Sequence, residues 1–379
     1  MDLTDYFAPV DFSTITEGTS SLKKDRLGYF VEKYSEAINQ KTLSKINIAI
    51  LGLPVDNGKR QKKEASSPDA IRHVLYNLAS IETNLKIADL GNLKPSKSHK
   101  GTLLAVRDIV EYLHELNIIV IVVGGSQELT LGICEAFTND RFFWLSTIDA
   151  VLDVKKGTEA FNSTTYLTRL FGKLPQLFQF SLIGYQQQLT SELLISKTRE
   201  IGNHLRLGEL RDNIKKAELL LRNSNVLSFD MGALKFNEAP GTKQKNPNGL
   251  RGEEACQLAH YAGLSTRLSV FGIFETLTAD EDMITSALAA EIIWYFLKGV
   301  SGRRQNGLRT AYKVEIEGLD FPVIFKHECE LNRWWFDVQS VSGEIIEIAC
   351  SEEEYQQAAA NEIPERWLNL IQKMDKLLK

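Results

Sequence analysis

Arg141-Phe-Phe-Trp-Leu-Ser-Thr-Ile-Asp-Ala-Val-Leu-Asp153 is the stretch whose reading decides the fold. It starts as an apolar run rich in aromatic and β-branched residues, the pattern of a strand buried on both faces of a parallel sheet. It ends in two carboxylates, Asp149 and Asp153, where such a strand should give way to a loop. Two other stretches have the same shape. Ile118-Ile-Val-Ile-Val-Val123 runs into Gly124-Gly-Ser-Gln-Glu128, and Val226-Leu-Ser-Phe229 runs into Asp230-Met-Gly232. Three buried strands are thus expected to end side by side in Gln127, Asp149, Asp153 and Asp230. Open α/β sheets carry their chemistry at that edge.

Working outward, strands alternate with helices from residue 46 to residue 300. Ile46–Gly52, Lys86–Asn92, Gln179–Gly184 and Leu268–Glu275 read as further strands. Ala70–Ser80, Thr102–Leu116, Ser126–Phe137, Leu205–Asn223, Glu253–Leu264 and Asp280–Lys298 read as helices. Ser67 is placed to cap the first of these, with Pro68 at its first position. This alternation predicts a three-layer α/β/α domain with a mostly parallel sheet. Beyond Gly299–Gly307 the pattern changes to short consecutive strands: Tyr312–Ile316, Val323–Cys329, Arg333–Val338 and Glu344–Ile348. A helix over Ser351–Ala360 follows, opened by the capping box Ser351-Glu-Glu-Glu354. The expected division is an N-terminal extension over 1–45 with a helix at Leu27–Ile38, an α/β domain over 46–300, and a small antiparallel β/α appendage over 301–379.

The bulk properties exclude several classes. With 379 residues, 43% hydrophobic and 25% charged, the composition is that of an ordinary globular chain. A net charge of -5 offers no nucleic-acid footprint. No apolar run reaches the roughly 18 residues of a membrane span. Cys134, Cys256, Cys329 and Cys350 form no CxxC pair and read as free thiols in a reducing compartment. A cytoplasmic location is the expectation.

The order of short motifs resembles the ureohydrolases: arginases, agmatinases and formimidoylglutamases. Ser67-Pro-Asp-Ala-Ile-Arg72 resembles the family's GPxAIR, and Asp89-Leu-Gly91 its DxG. Val123-Gly-Gly-Ser-Gln-Glu128 resembles GGDHS, and Asp149-Ala-Val-Leu-Asp153 resembles DAHxD. Ser228-Phe-Asp-Met-Gly232 resembles SxDxD, Pro240-Gly-Thr242 its PGT, and Phe271-Gly-Ile-Phe-Glu275 the GxxxE near the substrate. The resemblance implies hydrolysis of a guanidino or formimidoyl C–N bond at two manganese ions held by six side chains. It also implies a homo-oligomer, and makes Glu275 the carboxylate that meets the substrate's cationic group.

The sequence departs from that set at the ligands. Gln127, Val151 and Gly232 stand where the family has histidine, histidine and aspartate. Valine and glycine bring no donor side chain, so a binuclear manganese centre is not expected. No histidine falls near Phe161-Asn-Ser163, where many relatives keep a proton shuttle. His73, His99, His114, His204, His260 and His327 lie outside the matching motifs.

Three readings of the remaining acids stay open. They are structural groups accepting backbone N–H bonds. Or Asp149, Asp153, Asp230 and the Gln127 carbonyl hold one divalent ion, an all-oxygen set suited to Mn²⁺, Mg²⁺ or Ca²⁺ more than Zn²⁺. Or no metal binds, and the repulsion is offset by a proton or by a lysine, with Lys235 the first candidate and Lys155 and Lys156 behind it. Two functions follow. One is a non-catalytic binding or scaffold protein, with a small guanidino, amidino or amine ligand, or a protein partner docked on the appendage through Trp334-Trp335. The other is a C–N hydrolase with an altered one-metal site.

Overall fold

The computed structural model describes residues 3–10, 23–33, 43–54, 67–155, 157–276, 283–303 and 308–377. Its contacts divide the chain into two units, Met1–Arg303 and Arg304–Lys379.

The first unit is built on one ten-stranded sheet. In chain order its strands are β1 (Phe7–Ala8), β2 (Val31–Lys33), β3 (Ile48–Gly52), β4 (Ile87–Leu93), β5 (Ile119–Val123), β6 (Phe143–Ile148), β7 (Leu177–Tyr185), β8 (Gly202–Arg206), β9 (Val226–Asp230) and β10 (Val270–Phe274). Across the sheet they run β1-β4-β3-β5-β10-β9-β6-β7-β8, with β2 also pairing to β4. Only the β1–β4 pair is antiparallel.

The apolar runs explain the layering. Side chains alternate across a strand, and here both faces are buried. Ile48, Ile50, Ile121, Val123, Ile148, Phe229 and Ile273 face one core, with Ile71, Ala259 and Ile293 from helices Ser67–Asn77, Gly252–Leu264 and Ile284–Ser301. Ala49, Leu51, Val120, Val122, Leu145, Val226 and Val270 face the other, with Val106, Leu131 and Leu167 from helices His99–Glu115, Thr130–Glu135 and Tyr166–Lys173. Burying each such Val, Ile or Leu side chain is worth about 1.5–3 kcal/mol. The predicted three-layer α/β/α arrangement is what forms.

Several element readings need correction. The single helix expected over Leu205–Asn223 is a strand, β8, followed by helices Leu207–Asp212 and Lys215–Arg222. Residues from Leu27 turn helical only to Phe30 and then form β2; the rest of that expected helix lies outside the described residues. The expected helix over Ser126–Phe137 starts as a 3-10 turn, Gln127–Leu129, before Thr130–Glu135. Ser67 is the first helical residue, and its hydroxyl meets Thr276 Oγ1 at 2.5 Å.

A fully buried ion pair ties β4 to helix Ser67–Asn77. Arg72 Nε and Nη2 donate to the Asp89 carboxylate at 2.7 and 3.1 Å, and Nη1 reaches Asn92 Oδ1 at 2.6 Å and Asp69 Oδ1 at 3.0 Å. Tyr76 closes the network onto Asp89. These residues of the GPxAIR-like and DxG-like motifs hold the fold.

The second unit holds an antiparallel four-stranded sheet: β11 (Arg309–Val314), β12 (Val323–Glu328), β13 (Arg333–Gln339) and β14 (Ile345–Cys350), in that order. Helices Glu352–Ala359 and Glu365–Leu377 follow, and the Ser351 capping box forms as expected. Among the described residues, no helix is long and apolar enough to cross a membrane.

Candidate functional site

Strands β5, β10, β9 and β6 are consecutive and parallel, so their carboxyl ends share one edge of the sheet. Gln127 follows β5, Glu275 follows β10, Asp230 ends β9, and Asp149 and Asp153 follow β6. The three strands leading to Gln127, to Asp149 and Asp153, and to Asp230 were expected side by side, but β10 runs between β5 and β9. That crossover places Glu275 in the middle of the row. All five side chains are buried.

The turn after β5 depends on two glycines in the left-handed region, Gly124 (φ 80°) and Gly125 (φ 85°). A Cβ on Gly124 would come within 2.9 Å of Pro68 Cγ. The turn aims Gln127 back over the strand ends. Its backbone N–H donates to Glu275 Oε1 at 2.8 Å, and the Ser126 hydroxyl, also hydrogen-bonded to Glu128 Oε2, lies 3.1 Å from the same oxygen. Glu275 itself has φ 64°, a conformation costing a non-glycine residue about 1–3 kcal/mol. Its N–H donates to Gly125 O at 3.0 Å, so the two loops hold each other.

The side chain of Gln127 meets the aspartates. Its carbonyl oxygen would face only acceptors there. The orientation that satisfies both ends turns the amide nitrogen inward, donating to Asp149 Oδ2 at 3.0 Å and Asp153 Oδ2 at 3.2 Å. The carbonyl, expected as a metal ligand, then faces away from both acids.

Two further carboxylate oxygens have backbone donors. Asp149 Oδ1 accepts the Val151 N–H at 2.9 Å, and Asp230 Oδ1 accepts the Gly232 N–H at 2.6 Å. Val151 and Gly232 contribute backbone donors at the positions where side-chain ligands were missing. The space at Gly232 is also filled. A Cβ there would lie 3.0 Å from Asp230 Oδ1 and 3.1 Å from Gln244 Cδ. Asn246 Nδ2 donates to Gly232 O at 2.9 Å and to Gln244 Oε1 at 3.1 Å, fixing that filling in place.

Burial disfavours the charged form of these acids. It pushes Asp149 up to about 6, against the downward pull of hydrogen bonds from Asp153, the Val151 N–H and Gln127. Asp153 is held well above the carboxylate range by burial, by the charge of Asp149 and by a hydrogen bond between the two carboxyls. Asp149 and Asp153 therefore titrate as a coupled pair rather than independently. Burial likewise raises Asp230 and Glu275.

The positive charge acting on Asp230 and Glu275 comes from Lys243, in the loop after the Pro-Gly-Thr stretch. Lys235, the expected partner, makes no ion pair with Asp149, Asp153 or Asp230 among the described residues; its backbone N–H donates to Leu250 O at 3.0 Å. Lys155 uses its N–H on Thr168 Oγ1, and Lys156 lies outside the described residues. The role of Lys243 was missed although it directly follows the PGT-like motif.

Comparison with known proteins bears on this geometry. The model of the arginase family matches residues 46–298. A formimidoylglutamase of Salmonella paratyphi C is 23% identical over 267 residues, 65% of this chain and 83% of that protein. The solved structure of Trypanosoma cruzi formiminoglutamase with Mn²⁺ superposes with a TM-score of 0.64 at 21% identity, covering 74% of this chain and all (100%) of that one. Formimidoylglutamase from Bacillus subtilis gives 0.61 at 17% identity, covering 75% of this chain and 96% of that one. At these identities the structural likeness speaks for the fold.

Proposed function

Because the chain belongs to the arginase family, we infer that it is a member in which the strand-end acids no longer hold two manganese ions and whose role is binding rather than hydrolysis. One observation supports this reading. Protein donors reach oxygens of all three aspartates: the Gln127 amide on Asp149 and Asp153, the Val151 N–H on Asp149 and the Gly232 N–H on Asp230. Gln244 fills the space at residue 232. This residue set does not suit a binuclear centre, and no step of a metal-dependent reaction is assigned to it.

Burial favours the protonated form of the Asp149–Asp153 pair, and the charge of Lys243 pulls the other way at Asp230 and Glu275. Glu275, the expected contact for a guanidinium or amine, accepts the Gln127 N–H on Oε1, with the Ser126 hydroxyl beside it. A small cationic ligand and a protein partner for the appendage remain the two binding modes that this reading allows.

The alternative is a C–N hydrolase using a single divalent ion. It is favoured by one feature, the survival of three carboxylates at two adjacent strand ends. The test is an assay of manganese-loaded protein for release of ammonia, urea or formamide from formimidoylglutamate, agmatine and arginine. The binding role predicts no turnover above the metal-only blank. Turnover abolished by Asp149→Asn would establish the hydrolase.

A further inference from the structure

The turn that joins β12 to β13 carries a thiol, an imidazole and an amide in hydrogen-bonded sequence. It spans residues 329–332, with Asn332 in the left-handed region at φ 47°. Cys329 Sγ lies 3.6 Å from His327 Nδ1, and His327 Nε2 lies 2.8 Å from Asn332 Oδ1. His327 is on β12, directly opposite Trp334 on β13. Its ring stacks on the Trp334 ring at 4.1 Å and 12°, and Trp334 stacks in turn on Tyr355 at 4.4 Å.

The neighbours of Asn332 fix the tautomer. Trp334 Nε1–H, which can only donate, points at Asn332 Oδ1 at 3.3 Å, and Asn332 Nδ2 donates to Glu352 Oε2 at 3.2 Å. Both contacts mark the atom facing His327 as oxygen. In the neutral imidazole the proton therefore sits on Nε2, which leaves the Nδ1 lone pair directed at the Cys329 thiol. A thiol, a base with its lone pair toward it and a group orienting that base are the parts of an activated cysteine nucleophile. Cys329 is exposed, while Cys134, Cys256 and Cys350 are buried.

We propose that Cys329 is a site of thiol–disulfide exchange with low-molecular-weight disulfides, with His327 as its base and Asn332 as the residue positioning that base. An exposed turn suits this chemistry, because exchange needs only in-line access to one sulfur of the disulfide. The thiol proton passes to His327 Nδ1, and the thiolate attacks a disulfide R–S–S–R. The new Cys329–S–S–R bond forms as the S–S bond breaks. The departing thiolate takes the proton from His327 and leaves as R–SH.

The test uses the full chain with dithiodipyridine and with glutathione disulfide, following release of the leaving thiol. An unassisted thiol is only a few per cent ionised at pH 7, so a base raises the reactive fraction by at most about thirtyfold. The expected result is one fast thiol per chain, mapped to Cys329 and absent from Cys329→Ser. His327→Phe, which keeps the ring on Trp334, should slow it by about tenfold. His327→Ala should be slow and should recover with added imidazole. Asn332→Ala should slow the reaction, and the ring nitrogen shifts of His327 should change from a single Nε2–H tautomer to a mixture. Unchanged rates in His327→Phe, failure of imidazole to rescue His327→Ala, or a fast adduct on a buried cysteine would overturn the proposal.

Discussion

Replacing Gln127 by leucine should reveal how the acid cluster is held, through a pH-dependent loss of stability. The substitution roughly conserves volume and removes the amide donor to Asp149 Oδ2 and Asp153 Oδ2. A hydrogen bond to a charged group is worth about 1.5–3 kcal/mol, and one to a neutral group about 1 kcal/mol. The loss at Asp149 is capped, because a stranded carboxylate can protonate instead. From a value of about 6, that proton costs about 1.4 kcal/mol at pH 7 and about 4 kcal/mol at pH 9. The bond to Asp153, whose carboxyl burial pushes toward its neutral form, adds about 1 kcal/mol. The predicted destabilisation is therefore about 2 kcal/mol at pH 7, about 3–4 kcal/mol at pH 9 and about 1 kcal/mol at pH 5. The sign follows from linkage. A buried carboxyl whose folded pKa lies above its unfolded value of 3.8 binds more protons folded than unfolded, so stability falls as pH rises through that window. Leucine raises the folded value further and steepens the fall. Urea denaturation of both proteins at the three pH values measures it. A loss that does not vary with pH, or one under about 0.5 kcal/mol at pH 9, would refute the donor role of the amide.

Two other predictions concern the scaffold. His204, on β8, is lowered to about 4 by burial and by the charge of Arg199, with Nε2 2.9 Å from Thr198 Oγ1. Between pH 6.5 and 4 the unfolded chain binds a proton that the native one does not, so stability should drop by about 3 kcal/mol across that window; His204→Gln should remove that part of the slope in urea melts. Arg72→Met leaves Asp89 buried without its partner and should destabilise by about 3–5 kcal/mol, with much of the loss recovered in the double variant Arg72→Met/Asp89→Leu.

The apolar runs before Gly124, Asp149 and Asp230 were legible because strands buried on both faces leave little room for another reading. Lateral order was not legible. Nothing local to β10 records that it inserts between β5 and β9, and this crossover is what brings Glu275 to the centre of the site. Strand β8 was missed because Gly202-Asn-His-Leu-Arg206 has one buried apolar residue and lies at the sheet edge, where the strand signal is weakest. The acids were visible, and so were the gaps at Val151 and Gly232. How the gaps are filled was not, because Gln244 reaches residue 232 through a loop fold and the Gln127 amide orientation is set by neighbours distant in sequence. The charge of Lys243 rather than Lys235 acts on Asp230, a choice made by the fold of the loop and not by sequence spacing.

The central claim is that the donors around Asp149, Asp153 and Asp230 stand in place of a two-metal centre. Elemental analysis of the purified chain after manganese loading and removal of free metal tests it most directly. The account predicts at most one ion per chain, weakly held. Two tightly bound manganese ions per chain would contradict it.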